Sequence, residues 1–187
     1  METLSTDEII VERALSGDAE AFGEIVRRWE RRIFALTYGI LGREEDARDA
    51  TQETFLAAFR NLRGFRGEAK VSSWLHRIAV NQCLTRQRRA KVRNESALED
   101  SAESDLAATV DESPMSVVEG RQRTVAVRRA LNGLPLELRQ IVVMKEFEEL
   151  TFREIAEALE LPLSTVKSRL YTGLKQLQLR LEKFGAE

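Results

Sequence analysis

The sequence from Thr151 to Leu177, TFREIAEALELPLSTVKSRLYTGLKQL, brings hydroxyls and cations together at helical spacing. Ser164, Thr165, Lys167, Ser168 and Arg169 fall on the first turns of one segment, with Ser164 placed to cap it. Such groups suit base edges and phosphates in a DNA major groove, and Tyr171 and Lys175 extend the contact along the backbone. The residues that would hold them are beside them. Thr151 and Glu154 have capping-box spacing at the head of a short helix, and Leu161-Pro162 makes the turn. Ala156 is small where two helices would cross, and Leu161 and Val166 plug the angle between them. The layout is a helix-turn-helix; a helical hairpin with a solvated polar face is the alternative.

A second constellation runs from Phe65 to Arg93. There a glycine-bounded loop leads into a helix that mixes Trp74, His76, Arg77, Asn81 and Gln82 with a basic tail. Cations, aromatic rings and amides together suit single-stranded or distorted DNA, whose unstacked bases meet rings and whose edges meet amides. Trp74 could equally be a core residue, given its spacing from Ile78, and a solvated cationic surface is the alternative for the arginines. In a third segment, DARDATQETF, the residues Asp46, Asp49, Gln52 and Glu53 recur at three- and four-residue steps and share a helical face. With no histidine nearby and no glycine-punctuated loop, this acidic face is better suited to docking a basic protein surface than to binding a metal, and a merely solvated face is the alternative.

Charge along the chain follows the same division. The net charge of -2 conceals ten basic residues against Glu68 alone between Arg60 and Arg93, a local charge of +9. Between Asn94 and Glu119 there are eight acids and no base, giving -8. Local field, not the total, governs attraction to phosphate. Apolar residues fall mainly at three- and four-residue spacings, with only 3 prolines and 10 glycines, so an all-α fold is expected.

The elements needed to position these groups can be read in order. Ser5 with Glu8 opens a short helix ending near Gly17, and Asp18 caps a long amphipathic one that stops at Gly42. A third, about Glu44 to Leu62, turns Ala47, Ala50, Thr54, Phe55, Ala58, Phe59 and Leu62 inward. A fourth is capped by Ser72 or Ser73, with Trp74, Leu75, Ile78, Ala79, Cys83 and Leu84 on its apolar face. Residues 95–113 read as a flexible acidic linker, too poor in large apolar residues to offset chain entropy. Ser113-Pro114 starts a further helix ending at Asn132-Gly133, and Pro135 opens another that runs through Phe147. The expectation is therefore two small helical domains, 1–94 and 114–187. The lone cysteine, Cys83, reads as core, and no signal peptide or membrane-spanning stretch is apparent, so a cytoplasmic protein is expected.

The order DARDATQETFLAAFRNL, FRGEAKVSSWLHRIAVNQCLTRQRR, acidic linker, then LPLELRQIVVMKEFEELTFREIAEALELPLSTVKSRLYTGLKQL closely resembles the extracytoplasmic-function (ECF) sigma factors of the bacterial sigma-70 family, over nearly the whole chain. The resemblance implies that Asp46, Asp49, Gln52, Glu53 and Phe55 dock on the clamp coiled coil of core RNA polymerase. It implies that Phe65, Arg66, Lys70, Ser73, Trp74, Arg77 and Asn81 belong to the segment that melts and reads the -10 element of promoter DNA. Ser164 to Lys175 would form the -35 recognition helix, and the preceding segment would meet the polymerase flap. The family commonly answers to an anti-sigma factor; with one cysteine and one histidine here, redox or zinc sensing would lie in that partner. No cofactor, metal or bond chemistry is implied. A conventional regulator would bind duplex tightly without polymerase and leaves the acidic and basic segments unexplained. A small nuclease would need a carboxylate and histidine cluster that the sequence does not lay out.

Overall fold

A computed structural model of the chain describes residues 6–18, 20–65, 67, 70–97 and 116–184. Among these described residues eight α-helices follow one another: α1 (Thr6–Leu15), α2 (Ala21–Leu41), α3 (Glu44–Arg60), α4 (Val71–Ala97), α5 (Ser116–Asn132), α6 (Leu136–Val142), α7 (Phe152–Leu159) and α8 (Leu163–Phe184). A 3-10 turn, Leu62–Gly64, follows α3, and a π turn, Val143–Phe147, continues α6. No strand occurs among the described residues, as the apolar spacing predicts.

Local chemistry sets most of the boundaries. Before α2 the Asp18 carboxylate accepts the backbone N–H groups of Glu20 and Ala21, two of the donors a helix start leaves unpaired. Gly42 ends α2 in the left-handed region, at φ 78°, with its N–H on the Tyr38 carbonyl. Thr151 and Glu154 form the expected capping box at the head of α7. Two expected caps are displaced. Val71 already opens α4 and Leu163 opens α8, so Ser72, Ser73 and Ser164 lie inside first turns. In both cases the helix begins earlier: Trp74 N–H bonds the Lys70 carbonyl and Val166 N–H the Pro162 carbonyl. At the other end α4 continues through Ala97, so residues 95–97, read as linker, are helical. The rest of that segment, Ser5 and the Ser113-Pro114 start lie outside the described residues.

Ile25, Trp29, Ile33, Leu36 and Ile40 form the buried stripe of α2, and α1, α3 and α4 pack around it. In α3 the inward set holds for Ala47, Ala50, Thr54, Phe55 and Ala58, while Phe59 is 60% exposed. Phe59 sits at the end of α3, its ring edge-to-face with Phe22 at 5.2 Å. Thr37, Thr51 and Thr54 are buried with their hydroxyls bonded to helix carbonyls or to one another, so they cost little. The C-terminal helices gather Leu131, Leu134, Ile141, Met144, Ile155, Ala158, Val166 and Leu170. Gly173 brings α8 against α6 so closely that a Cβ there would stand 2.8 Å from Val142 Cγ2.

These two sets of helices share one core. Helix α2 reaches α5, α6 and the π turn, and α4 reaches α7. A Cβ on Gly39 of α2 would meet Val143 Cγ1 at 2.8 Å. At the end of α2, Arg139 Nη1 donates to the Ile40 carbonyl (3.0 Å) while Nη2 donates to the Asn132 and Leu134 carbonyls (2.5 and 3.1 Å). A cation thus faces the carbonyl ends of α2 and α5 together, where both helix dipoles favour it. The capping box gives a direct stability expectation. Thr151→Ala should lower unfolding free energy by about 1 kcal/mol, seen as a lower urea midpoint at unchanged slope, and Thr151→Ser should recover most of it.

Candidate nucleic-acid interface

Helix α8 is anchored from beneath by Val166 and Leu170, both buried, and by Leu174 and Leu177, which are half-buried. That leaves Ser164, Lys167, Ser168, Tyr171 and Lys175 exposed, with Thr165 and Arg169 half-buried. Tyr171 is 66% exposed, an unusual position for a large ring. The Ser168 hydroxyl donates to its own helix, at the Thr165 carbonyl (3.0 Å), and its oxygen stays open as an acceptor. Lys167 and Lys145 both stand over the Phe152 ring, at 5.7 and 5.3 Å from its centre. The ring thus gathers positive charge beside the start of α8.

The basic-aromatic segment lies on α4 and the loop before it. Phe65 and Trp74, both half-buried, pack ring on ring at 5.0 Å, and Lys70 and Asn81 are exposed. Arg66 lies outside the described residues. Three polar side chains of α4 are already engaged by the C-terminal helices. The Ser73 hydroxyl donates to Glu154 Oε1 (3.2 Å), and the exposed Arg77 pairs with Glu160. His76 is 1% exposed and meets Glu148, itself 6% exposed, at 3.4 Å between Nε2 and Oε2. Its other nitrogen, Nδ1, donates to the Ser72 carbonyl (2.6 Å). The Trp29 ring stands edge-on over this imidazole at 5.8 Å.

On α3, Asp49, Gln52 and Glu53 are exposed and Asp46 half-buried, forming the expected acidic face. Arg86 of α4 reaches across it, binding Asp46 at 3.1 Å and also Asp49. Burial opposes the Arg86 charge, but the two carboxylates outweigh it and hold its pKa above the ordinary value. Phe55 does not belong to this face. At 7% exposure it is packed into the core, where its ring fills the space beneath α3, so it supports the acidic face from behind. Cys83 is fully buried and its thiol is pushed up to about 12 by burial. Among the described residues no group of three histidine, cysteine or carboxylate side chains is placed to hold a metal, and no helix is long and apolar enough to cross a membrane.

Sequence reasoning missed Arg86, Arg139, Glu148 and Glu160. Nothing in their spacing marks them, because each acts on a helix distant in sequence.

The family comparison agrees with this division. Residues 25–93 match the family model described as sigma-70 region 2, and residues 124–177 match that of sigma-70 region 4. The chain belongs to the sigma-70 family. Among its relatives is the ECF RNA polymerase sigma-E factor of Haemophilus influenzae, 30% identical over 95% of this chain and 96% of that protein. Another is the ECF RNA polymerase sigma factor SigE of Mycolicibacterium smegmatis, 34% identical over 92% of this chain and 67% of the relative. Two solved structures share the fold at a TM-score of 0.71. One is the sigma factor RpoE in complex with the anti-sigma factor NepR from Bartonella quintana, 17% identical over 88% of this chain and 98% of the other. The second is CnrH in complex with the cytosolic domain of CnrY, 22% identical over 96% and 99%. In this sigma factor most of α2 and α4 and all of α3 fall in region 2, and α6 and α7 lie within region 4.

Two measurements test the geometry. Phe55→Ala should cost about 3 kcal/mol, as for other buried aromatics, whereas Asp49→Ala with Glu53→Ala should stay within about 1 kcal/mol of the parent. Glu154 lies below its ordinary pKa of 4.5: burial alone would raise it, but the bonds from Thr151 and Ser73 and the charge of Lys70 prevail. A depressed carboxylate contributes stability that is fully present above its unfolded value and lost as pH falls through the folded one. Acid titration of unfolding free energy below pH 4.5 should therefore be less steep in Glu154→Gln than in the parent.

Proposed function

We propose that this ECF sigma factor binds core RNA polymerase through the acidic face of α3 and reads promoter DNA at two separated elements. Asp46, Asp49, Gln52 and Glu53 would contact polymerase. Phe65, Arg66, Lys70, Ser73, Trp74, Arg77 and Asn81 would engage the opened -10 strand, and Ser164, Thr165, Lys167, Ser168, Arg169, Tyr171 and Lys175 the -35 duplex. Phe55, packed in the core at 7% exposure, would support the acidic face from behind. The observation that carries this reading is the presence, in one chain, of a region 2 match holding the acidic and basic-aromatic helices and a region 4 match holding a capped helix-turn-helix.

The mechanism is one of positioning. Each contact alone is small, and polymerase fixes the separation of the two DNA-reading parts, so the second contact becomes intramolecular and gains from effective concentration. Aromatic faces and cations hold the displaced strand once it opens, which biases the melted state without any bond being made or broken by this chain. A cytoplasmic setting follows from that work, and an anti-sigma protein is the proposed regulator; the solved relatives RpoE and CnrH are each held by a partner protein.

Run-off transcription with bacterial core polymerase on fragmented source DNA tests this directly. Discrete starts that depend on the protein and share paired upstream elements are expected; failure to bind core, with duplex binding retained, would sink the reading. Within that assay Arg169→Ala should weaken -35 recognition and spare core binding, while Asp49→Ala with Glu53→Ala should do the reverse. Equal loss of both activities in either folded variant would mean the faces are misassigned.

A further inference from the structure

The basic run that begins at Arg86 reads in the sequence as the tail of a DNA-facing helix, yet its first member turns to another partner. Arg86 stands nine positions beyond Arg77 on α4, and at about 100° per residue that places the two on opposite sides of the helix. On its own side Arg86 meets α3. Its Nε donates to Asp46 Oδ1 (3.1 Å) and its Nη2 to Asp49 Oδ2. Arg43 approaches the second oxygen of Asp46 at 3.7 Å. Asp46, with a third of its side chain exposed, therefore faces two cations. Asp49 is 59% exposed and is held by Arg86 through one oxygen. Glu53, one turn further along α3, is exposed, and among the described residues no ion pair engages it.

Two carboxylates and one guanidinium carry a net charge of -1, so Arg86 does not cancel the acidic face. Asp46 balances it, and the charge of Asp49 is left for a cation outside the chain. At i and i+3 the two carboxylates would repel each other without a bridge. With the bridge, the Asp49 carboxyl is fixed in place before any partner arrives, and the partner does not have to order it. We propose that Arg86 is a positioning residue for polymerase docking: reaching from α4, it sets the Asp49 carboxylate so that the second oxygen meets a cation on the polymerase surface. This inference rests on the reading of the α3 face as the polymerase-docking surface. The grip depends on shape as well as charge. A guanidinium offers donors in a rigid fork that spans two carboxylates, whereas a lysine ammonium is a single point on a flexible stem. Arg86 thus serves the protein partner, and α4 presents one side to DNA and the other to the docking face.

The test measures the affinity of the full-length protein for core polymerase by anisotropy of an N-terminal fluorophore, at several salt concentrations, with helicity and urea midpoint recorded for each variant. Arg86→Ala should weaken core binding about fivefold, the scale of ordering one side chain on association. Its urea midpoint should stay near that of the parent, since exposed pairs contribute little to stability. Arg86→Lys keeps the charge and loses the fork, and should remain within about twofold of Arg86→Ala. The coupling is the decisive reading. Arg86→Ala/Asp49→Ala should bind no more than about twofold more weakly than Asp49→Ala alone, while in Arg86→Ala/Glu53→Ala the two single losses should multiply. Tighter binding by Arg86→Ala, full recovery by Arg86→Lys, or a loss that multiplies with that of Asp49→Ala would each show that Arg86 tunes charge and positions nothing. If Asp49→Ala and Glu53→Ala weaken binding and Arg86→Ala does not, this inference alone falls. Parent affinity in both Asp49→Ala and Glu53→Ala would remove the docking role of α3, and this inference with it. If Arg86→Ala loses helicity, Arg86→Gln takes its place in every comparison, under the same criteria.

Discussion

A helix of 21 residues that buries Ile25, Trp29, Ile33, Leu36 and Ile40 must be covered on more than one side, and α1, α3 and α4 do not cover all of α2. Its C-terminal half receives α5, α6 and the π turn as well. Gly39 is what allows this approach, since a side chain there would strike Val143. Two groups of helices too small to build large separate cores thereby complete one between them. The relation of α4 to α7, and so of the two candidate DNA-reading surfaces to each other, follows from how α2 is covered.

The electrostatic arrangement answers to the same packing. A nearly neutral chain keeps its strong local charges in different places, and the fold then brings some of them back together. Arg86 partly neutralises the face of α3, and Glu154 and Glu160 do the same for α4. Such surface pairs add little to stability because water screens them and ordering long side chains costs entropy. Their effect is on recognition, because each determines which cations and carboxylates are open to a polyanion or to a basic protein.

What could be read from the sequence was what is decided locally. The capping box at Thr151, the stop at Gly42 and the buried Cys83 each depend on a few neighbouring residues. The serine caps failed because serine is tolerated in a first turn as well as before it, and the real starts are set by backbone bonds from Trp74 and Val166. Phe55 and Phe59 have the same spacing relative to the α3 stripe, yet one is core and the other 60% exposed. The difference arises where α3 runs out of neighbours, which periodicity does not encode. The contacts of α4 with α7 were beyond reach for a related reason: they join residues more than 70 positions apart.

The π turn at Val143–Phe147 has a consequence for how this chain tolerates change in length. Glu148 N–H bonds the Val143 carbonyl, five residues back, so one more residue is accommodated here than an α-helical turn would take. Loss of a single residue from this turn would restore ordinary helical winding and rotate the C-terminal remainder of the chain by roughly 100° about the helix axis. The carboxylate of Glu148 would swing off His76 without any change in the side chains on either side. The register of Glu148 against His76 is thus written in the spacing of the backbone as well as in the charges of the two side chains.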